Sequence, residues 1–308
     1  MMKPVISLMA LAATLAACAP KEPVAEALAA PDPRFAVTDT ADYDPVTVNQ
    51  LPADPPTLKV AYGTASERQY GELRMPKGKG PFPLAVLYHG GCWAGMGGTV
   101  NLAPLASFLA RNGVATWSPS YRELGSDGGW PNTFSDWAQG LIHVKALAKS
   151  YPLDLSRITV MGHSAGVTPV MWLPTGHKGD TAISADLPPI RAAVALDGPL
   201  RIGDFVGIDQ AVCGQPVIAA MMGGTPAEQP TRYAMLDPLV NKPLVGRLLV
   251  VDGALPEPDP ALIAGLRAQG IAVEVIRVAQ DQHFNHLVPG TADFAAIGPA
   301  LLDIAGGR

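Results

Sequence analysis

The segment Gly162-His163-Ser164-Ala165-Gly166 follows directly on the apolar run Ile158 to Met161. A serine flanked by two glycines where a strand turns sharply into a helix is placed for nucleophilic chemistry, because larger flanking side chains would clash across the turn. The turn lifts the hydroxyl into a cleft at the start of a helix, where the helix dipole favours negative charge. A second segment, His89-Gly90-Gly91-Cys92-Trp93, follows the run Leu84 to Tyr88. Its glycines let backbone N–H groups approach a reacting centre closely. The amides of Gly90 and Gly91, with that of Ala165, could hold the oxyanion of an acyl-transfer intermediate, at about 3–4 kcal/mol per donor. Either segment alone also fits a plain Gly-rich turn. Their position, each just past an apolar run, favours chemistry.

Those runs are the elements that must position the site. Leu84 to Tyr88, Val114 to Trp117, Ile158 to Met161, Ala192 to Leu196 and Leu248 to Val251 are short and lack alternation, as expected of strands covered on both faces. Ile271 to Val278 forms a sixth run, and Leu58 to Ala61 with Tyr70 to Met75 predict an antiparallel pair at the start. Between them, Leu102, Leu105 and Leu109, then Trp137, Leu141, Val144 and Leu147, repeat at helical spacing, with Gly113 as a stop after the first set. Alternating strands and helices predict an α/β fold with a mostly parallel central sheet and helices on both faces. In such sheets ligands bind beyond the carboxyl ends of the strands, which is where both Gly-rich segments stand.

Tyr62-Gly63, Leu73-Arg74-Met75-Pro76, His89-Gly90-Gly91-Cys92-Trp93, Tyr121-Arg122, Pro131, Asp136 and Gly162-His163-Ser164-Ala165-Gly166 together resemble the bacterial esterase and arylformamidase-like (kynurenine formamidase-like) branch of the α/β hydrolases. The resemblance runs from about Leu58 to the C-terminus, is most specific from Pro83 to Gly166, and is weakest from Gly198 to Lys242. It implies the α/β-hydrolase fold and cleavage of short esters or formamides by a Ser-His-Asp/Glu triad, with no metal and no cofactor. The expected partner is a small ester or amide substrate. An arylformamidase, a peptidase of the same fold, or a non-catalytic envelope lipoprotein that keeps the fold are the rival readings.

In this family the chain order is Ser, acid, His. His283, just past Ile271 to Val278, stands where the base is expected, and His286 is the runner-up. His143 falls within a helical stretch, His177 in a polar loop, His163 under the elbow, and His89 is read as a loop organiser. The acid departs from the pattern. After Leu248 to Val251 the family places a Gly and, three residues on, an Asp; Gly253 is present, but Pro256 occupies the acid position. Glu257 is the leading substitute because its longer side chain can compensate for a displaced backbone, with Asp259 as the alternative acid. Asp252 ends the strand and is expected to point elsewhere, while Asp197 follows another strand at a position some lipases use. Asp136 reads as an acid offsetting the dipole at a helix start. Trp93, Trp130, Trp172 and Phe284 could line a cleft, though residues of these types are more often simply core or rim.

The chain has 308 residues, 48% apolar and 16% charged, with a net charge of −5 and no long basic run. That suits one large domain and argues against a nucleic-acid surface. Lys3, the apolar stretch from Pro4 to Ala17, and Leu15-Ala16-Ala17-Cys18 resemble a bacterial lipoprotein signal in which Cys18 is acylated. On that reading, residues 1–18 are a signal peptide and 19–56 an Ala/Pro-rich tether with a strap onto the domain. Residues 57–308 are then the α/β-hydrolase domain. The protein would be exported and anchored by lipid alone, facing the periplasm of a Gram-negative bacterium. Cys92 and Cys213 are expected as two buried free thiols, with a disulfide as the lesser alternative.

Overall fold

Leu84, Ala85, Val86, Leu87 and Tyr88 present no polar face to water, and the structure buries all five in the middle of a sheet. This computed structural model describes residues 1, 32–176, 186–279 and 282–306. Among them, eight strands form one sheet in the order β1-β2-β4-β3-β5-β6-β7-β8. They are β1 (Leu58–Ala61), β2 (Tyr70–Arg74), β3 (Phe82–Tyr88), β4 (Ala115–Pro119), β5 (Leu153–His163), β6 (Ala192–Leu196), β7 (Arg247–Asp252) and β8 (Ala272–Arg277). β1 and β2 run antiparallel, and β2 also pairs antiparallel with β4. Every pairing from β4 through β8 is parallel. The mostly parallel sheet is what the strand–helix alternation predicts, and the fold is that of the α/β hydrolases, as the resemblance implies.

The helices are α1 (Ala103–Arg111), α2 (Asn132–Ile142), α3 (Val144–Leu147), α4 (Val167–Trp172), α5 (Asp209–Cys213), α6 (Val217–Met222), α7 (Pro230–Met235), α8 (Pro260–Ala268) and α9 (Ala292–Gly306). Alternate residues of β3 face two separate cores. Leu84, Val86 and Tyr88 join Trp137 and Leu141 of α2, Val167 and Val170 of α4, and Leu262 and Leu266 of α8. Ala85 and Leu87 join Leu105 and Leu109 of α1 and Phe294 and Leu301 of α9. The sheet is thus covered on both faces, which is why its inner strands lack alternation.

The compact unit of the structure begins at Pro33. Phe35 lies 6.1 Å from Phe108 between ring centroids, and Val48 is fully buried. Tyr43 donates its backbone N–H to Asn285 Oδ1 at 2.8 Å, and Asn285 Nδ2 donates to the Ala41 carbonyl at 3.1 Å. Residues 33–56 are therefore a packed strap that braces the segment following β8. Cys18 and residues 19–31, like His177, lie outside the described residues.

Asp136 does more than offset a helix dipole. α2 begins at Asn132, so Asp136 falls in its second turn, fully buried. Its carboxylate accepts from Arg122 Nε and Nη2 at 2.8 Å each, from the Arg122 backbone at 2.9 Å, and from Gln69 Nε2 at 2.7 Å. A buried carboxylate keeps its charge only with such partners, and removing the cation is costly. Arg122→Ala should lower unfolding free energy by about 3–5 kcal/mol, measured by urea denaturation. A loss below about 1 kcal/mol would show that Gln69 and the backbone suffice.

Candidate active site

Ser164 follows β5 directly, at a turn that only glycine neighbours permit. A Cβ on residue 162 would meet the Gly166 carbonyl, and one on residue 166 would meet the Tyr88 carbonyl. Ser164 itself has φ of +53°, a left-handed conformation that costs of order 1–3 kcal/mol and persists only when its surroundings enforce it. Its side chain is nearly buried, at 8% exposure. A single 3-10 turn (Ser164–Gly166) leads into the short α4.

The loop carrying His283 reaches this turn from beyond β8. His283 Nδ1 lies 2.6 Å from Asp197 Oδ2. The ionised carboxylate can only accept, so Nδ1 carries the proton and Nε2 of the neutral ring is left to take one up. His163 Nε2 donates to the His283 carbonyl at 2.9 Å, and the two rings stand 4.5 Å apart between centroids. Gly198, next after Asp197, packs against the Ser164 backbone: a Cβ there would meet the Ser164 carbonyl. Ser164, Asp197 and His283 thus gather at one end of the sheet from β5, β6 and the segment after β8.

The acid differs from the expectation. Glu257 pairs with Arg277 at the surface, with its side chain 61% exposed. Asp259 caps α8 by accepting from Ala261 N at 2.8 Å and sits 3.4 Å from Arg201. Asp252 pairs with Arg277 at 2.7 Å. All three acids after β7 are engaged elsewhere, and neither Glu257 nor Asp259 meets His283. Instead the loop after β7 supplies donors: the N–H groups of Gly253, Ala254 and Leu255 reach the Asp197 carboxylate at 3.3, 2.9 and 3.1 Å. A Cβ on residue 253 would stand 2.7 Å from Asp197 Oδ2. Gly253 is thus required by the carboxylate it packs against, not by an acid three residues later. The signal in the sequence was Asp197 itself, directly after a buried strand.

Burial pushes the Asp197 carboxyl up, but the hydrogen bond and charge of His283 outweigh it and hold the group below the usual range. Burial keeps His163 well below the ordinary imidazole range, reinforced by His283 and His286, so His163 is neutral. His286 is fully buried and drawn down to about 4 by burial, and its ring nitrogens have no hydrogen-bond partner among the described residues. Its ring stands 5.3 Å from that of His163 and 6.4 Å from that of His283 between centroids. His89 organises its loop: Nδ1 lies 2.7 Å from the Gly90 carbonyl, and its ring stacks on Tyr121 at 4.2 Å.

Gly90 packs directly on the nucleophile turn, where a Cβ would stand 2.9 Å from Ser164 Cβ. Cys92 and Trp93 follow with φ of +55° and +53°. Cys92 is not a free thiol. It is bonded to Cys213 across 121 residues, with Cα atoms 5.9 Å apart, because the loops after β3 and β6 end on the same face of the sheet. Of the aromatic residues considered for a cleft, Trp93 lines the pocket at Ser164, whereas Trp172 belongs to the core.

The BD-FAE family matches residues 72–241, more than half of the chain. The chain belongs to the BD-FAE family. No curated protein matches it. Among solved structures, it is similar to a bifunctional GH43-CE protein of Bacteroides eggerthii, with 23% identity and a TM-score of 0.59. That match covers 73% of this chain but only 35% of the longer bifunctional one. A truncated carbohydrate esterase from gut microbiota shares 17% identity with a TM-score of 0.64, over 82% of this chain and 97% of that one. Esterase B from Lactobacillus rhamnosis, inhibited by a tributyrin phosphonate, shares 16% identity with a TM-score of 0.66, over 84% and 89%. At these identities the likeness is one of fold.

In this BD-FAE chain the loop carrying Gly90 and Gly91 is held from below. Leu124 donates to the Trp93 carbonyl at 2.6 Å, and Glu123, with no exposed side-chain surface, pairs with Arg68 at 2.8 Å. Burial pushes Glu123 up to about 7, against the pull of Arg68 and a hydrogen bond from Gly95. Between its ordinary value of 4.5 and about 7, the folded protein therefore holds a proton that the unfolded chain has released. Stability from this group falls as pH rises through that window and levels off above it. Relative to wild type, Glu123→Gln should shift the change in Tm from pH 5 to pH 7 in the positive direction, because the mutant lacks this loss while the buried histidines contribute alike to both. Parallel Tm–pH profiles would contradict the assignment.

Proposed function

We propose that the protein is a serine hydrolase that cleaves small carboxylic esters through an acyl-enzyme on Ser164. The observation that carries this reading is the 2.6 Å contact between His283 Nδ1 and the buried Asp197 carboxylate, beside a serine held in a left-handed turn. His283 Nε2 takes the proton of the Ser164 hydroxyl as Oγ attacks the ester carbonyl. Backbone amides near Gly90, Gly91 and Ala165 hold the oxyanion. His283 then protonates the departing alcohol, and water activated by the same imidazole releases the acid. Asp197 stays ionised throughout. It fixes the tautomer of His283 and stabilises the imidazolium as it forms.

The structural neighbours, a carbohydrate esterase and a phosphonate-inhibited esterase among them, favour esters over amides. Aryl or acetyl esters of sugars or plant phenolics are the substrates that suit this reading. For location, we propose an acylated Cys18 anchoring the protein at a bacterial envelope membrane, facing the periplasm. The lipobox-like Leu15-Ala16-Ala17-Cys18 supports this, as does a disulfide of the kind that persists in oxidising compartments.

Ser164→Ala should abolish both hydrolysis of p-nitrophenyl acetate and labelling by a fluorophosphonate. Asp197→Asn should lower kcat by about 10³–10⁴-fold while Glu257→Gln stays near wild type. Activity surviving Ser164→Ala sinks the esterase reading, a large loss in Glu257→Gln sinks the acid assignment, and faster turnover of N-formyl aromatics would favour a formamidase. Cys18→Ser should move the protein from the membrane to the soluble fraction; unchanged membrane retention rules out the anchor.

A further inference from the structure

The acyl and alcohol halves of an ester must leave Ser164 in different directions, because the base has to reach the departing alcohol. The pocket at Ser164 is walled by Trp93, Phe205, Val212, Ile218 and both half-cystines, and His283 is not among its lining residues. It is therefore the place for the acyl group. The space is small, about 20 Å³, room for little more than one water-sized sphere. Its wall is apolar. The one carboxylate on its border, Asp209, is taken up by the backbone N–H groups of Gly207 at 3.0 Å and Ile218 at 2.8 Å.

The Cys92–Cys213 bond joins the two sides of this pocket. Cys92 lies in the loop that packs on Ser164, and Cys213 closes α5, a five-residue helix capped by left-handed Gly214. Val206 and Val212 around α5 are exposed, so this stretch has little core of its own to hold it. We infer that the Cys92–Cys213 bridge is the specificity-determining wall of the acyl pocket, restricting the acyl group to acetyl size by fixing α5 against the loop after β3. This rests on Ser164 being the esterase nucleophile. The bridge is no proton donor or acceptor. It acts by shape, since sulfur atoms and the Val212 side chain occupy the volume a longer chain would need.

The test is the ratio of kcat/KM for p-nitrophenyl acetate to that for p-nitrophenyl hexanoate. Wild type should favour acetate by about tenfold or more, and the Cys92→Ala/Cys213→Ala double variant should lose most of that preference by gaining on hexanoate. Reducing the folded wild type with a phosphine, with thiols counted and the fold checked by circular dichroism, should shift the ratio in the same direction without a substitution. An unchanged ratio, or an equal fall on both esters, overturns the inference, because a merely structural bridge would scale the two rates together. A wild type that cleaves hexanoate as well as acetate also overturns it while leaving the nucleophile intact. Failure of the nucleophile reading itself shows separately, as activity surviving in Ser164→Ala.

Discussion

The Asp197 carboxylate organises one end of this molecule. It is almost completely buried, so it can stay charged only if every lone-pair direction finds a donor. Three come from successive backbone N–H groups after β7 and the fourth from His283. That set ties three distant parts of the chain together: the end of β6, the loop after β7, and the segment beyond β8. A carboxylate satisfied in this way cannot move toward or away from the imidazole without stranding a donor. The same set explains Gly253, since the carboxylate occupies the place of its missing side chain.

Strain is concentrated around this anchor. Cys92, Trp93, Ser164 and Asp197 all adopt positive φ without being glycine. Each is held by something rigid: a disulfide for Cys92, the Leu124 N–H on the Trp93 carbonyl, the packed elbow for Ser164, and the donor set for Asp197. A neutral His163 crosses from the elbow to the base loop through its bond to the His283 carbonyl. The strap of residues 33–56 completes the support through Asn285, two residues past His283. These clamps restrict the relative motion of the Ser164 turn, the loop carrying Gly90 and Gly91, and the loop carrying His283, the positional control that the proposed chemistry needs.

The sheet makes this convergence possible. Parallel strands β3, β5, β6 and β7 all deliver their carboxyl ends to the same edge, so loops far apart in the chain share one cleft. The disulfide is a consequence of that geometry: residues 92 and 213 follow β3 and β6 and meet above the serine.

Much of this was legible in residue order. Unalternating apolar runs specify strands covered on both faces, and the structure has a strand at each of them, with β5 extended to Leu153–His163. Gly162 to Gly166 specify the elbow because no other residue type fits a turn that tight. The position of His283 after the last strand follows from the chain order Ser, acid, His that the resemblance implies. Residue order could not decide which acid meets that histidine, because Asp197, Asp252, Glu257 and Asp259 all stand just beyond strand ends. Their competing partners, Arg277, Arg201 and the start of α8, are assigned only when the chain folds. The pairing of Cys92 with Cys213 and the burial of Asp136 against Arg122 were likewise settled by tertiary structure. Local pattern encodes which backbone a segment can adopt, whereas the partner of a side chain depends on distances across the sheet.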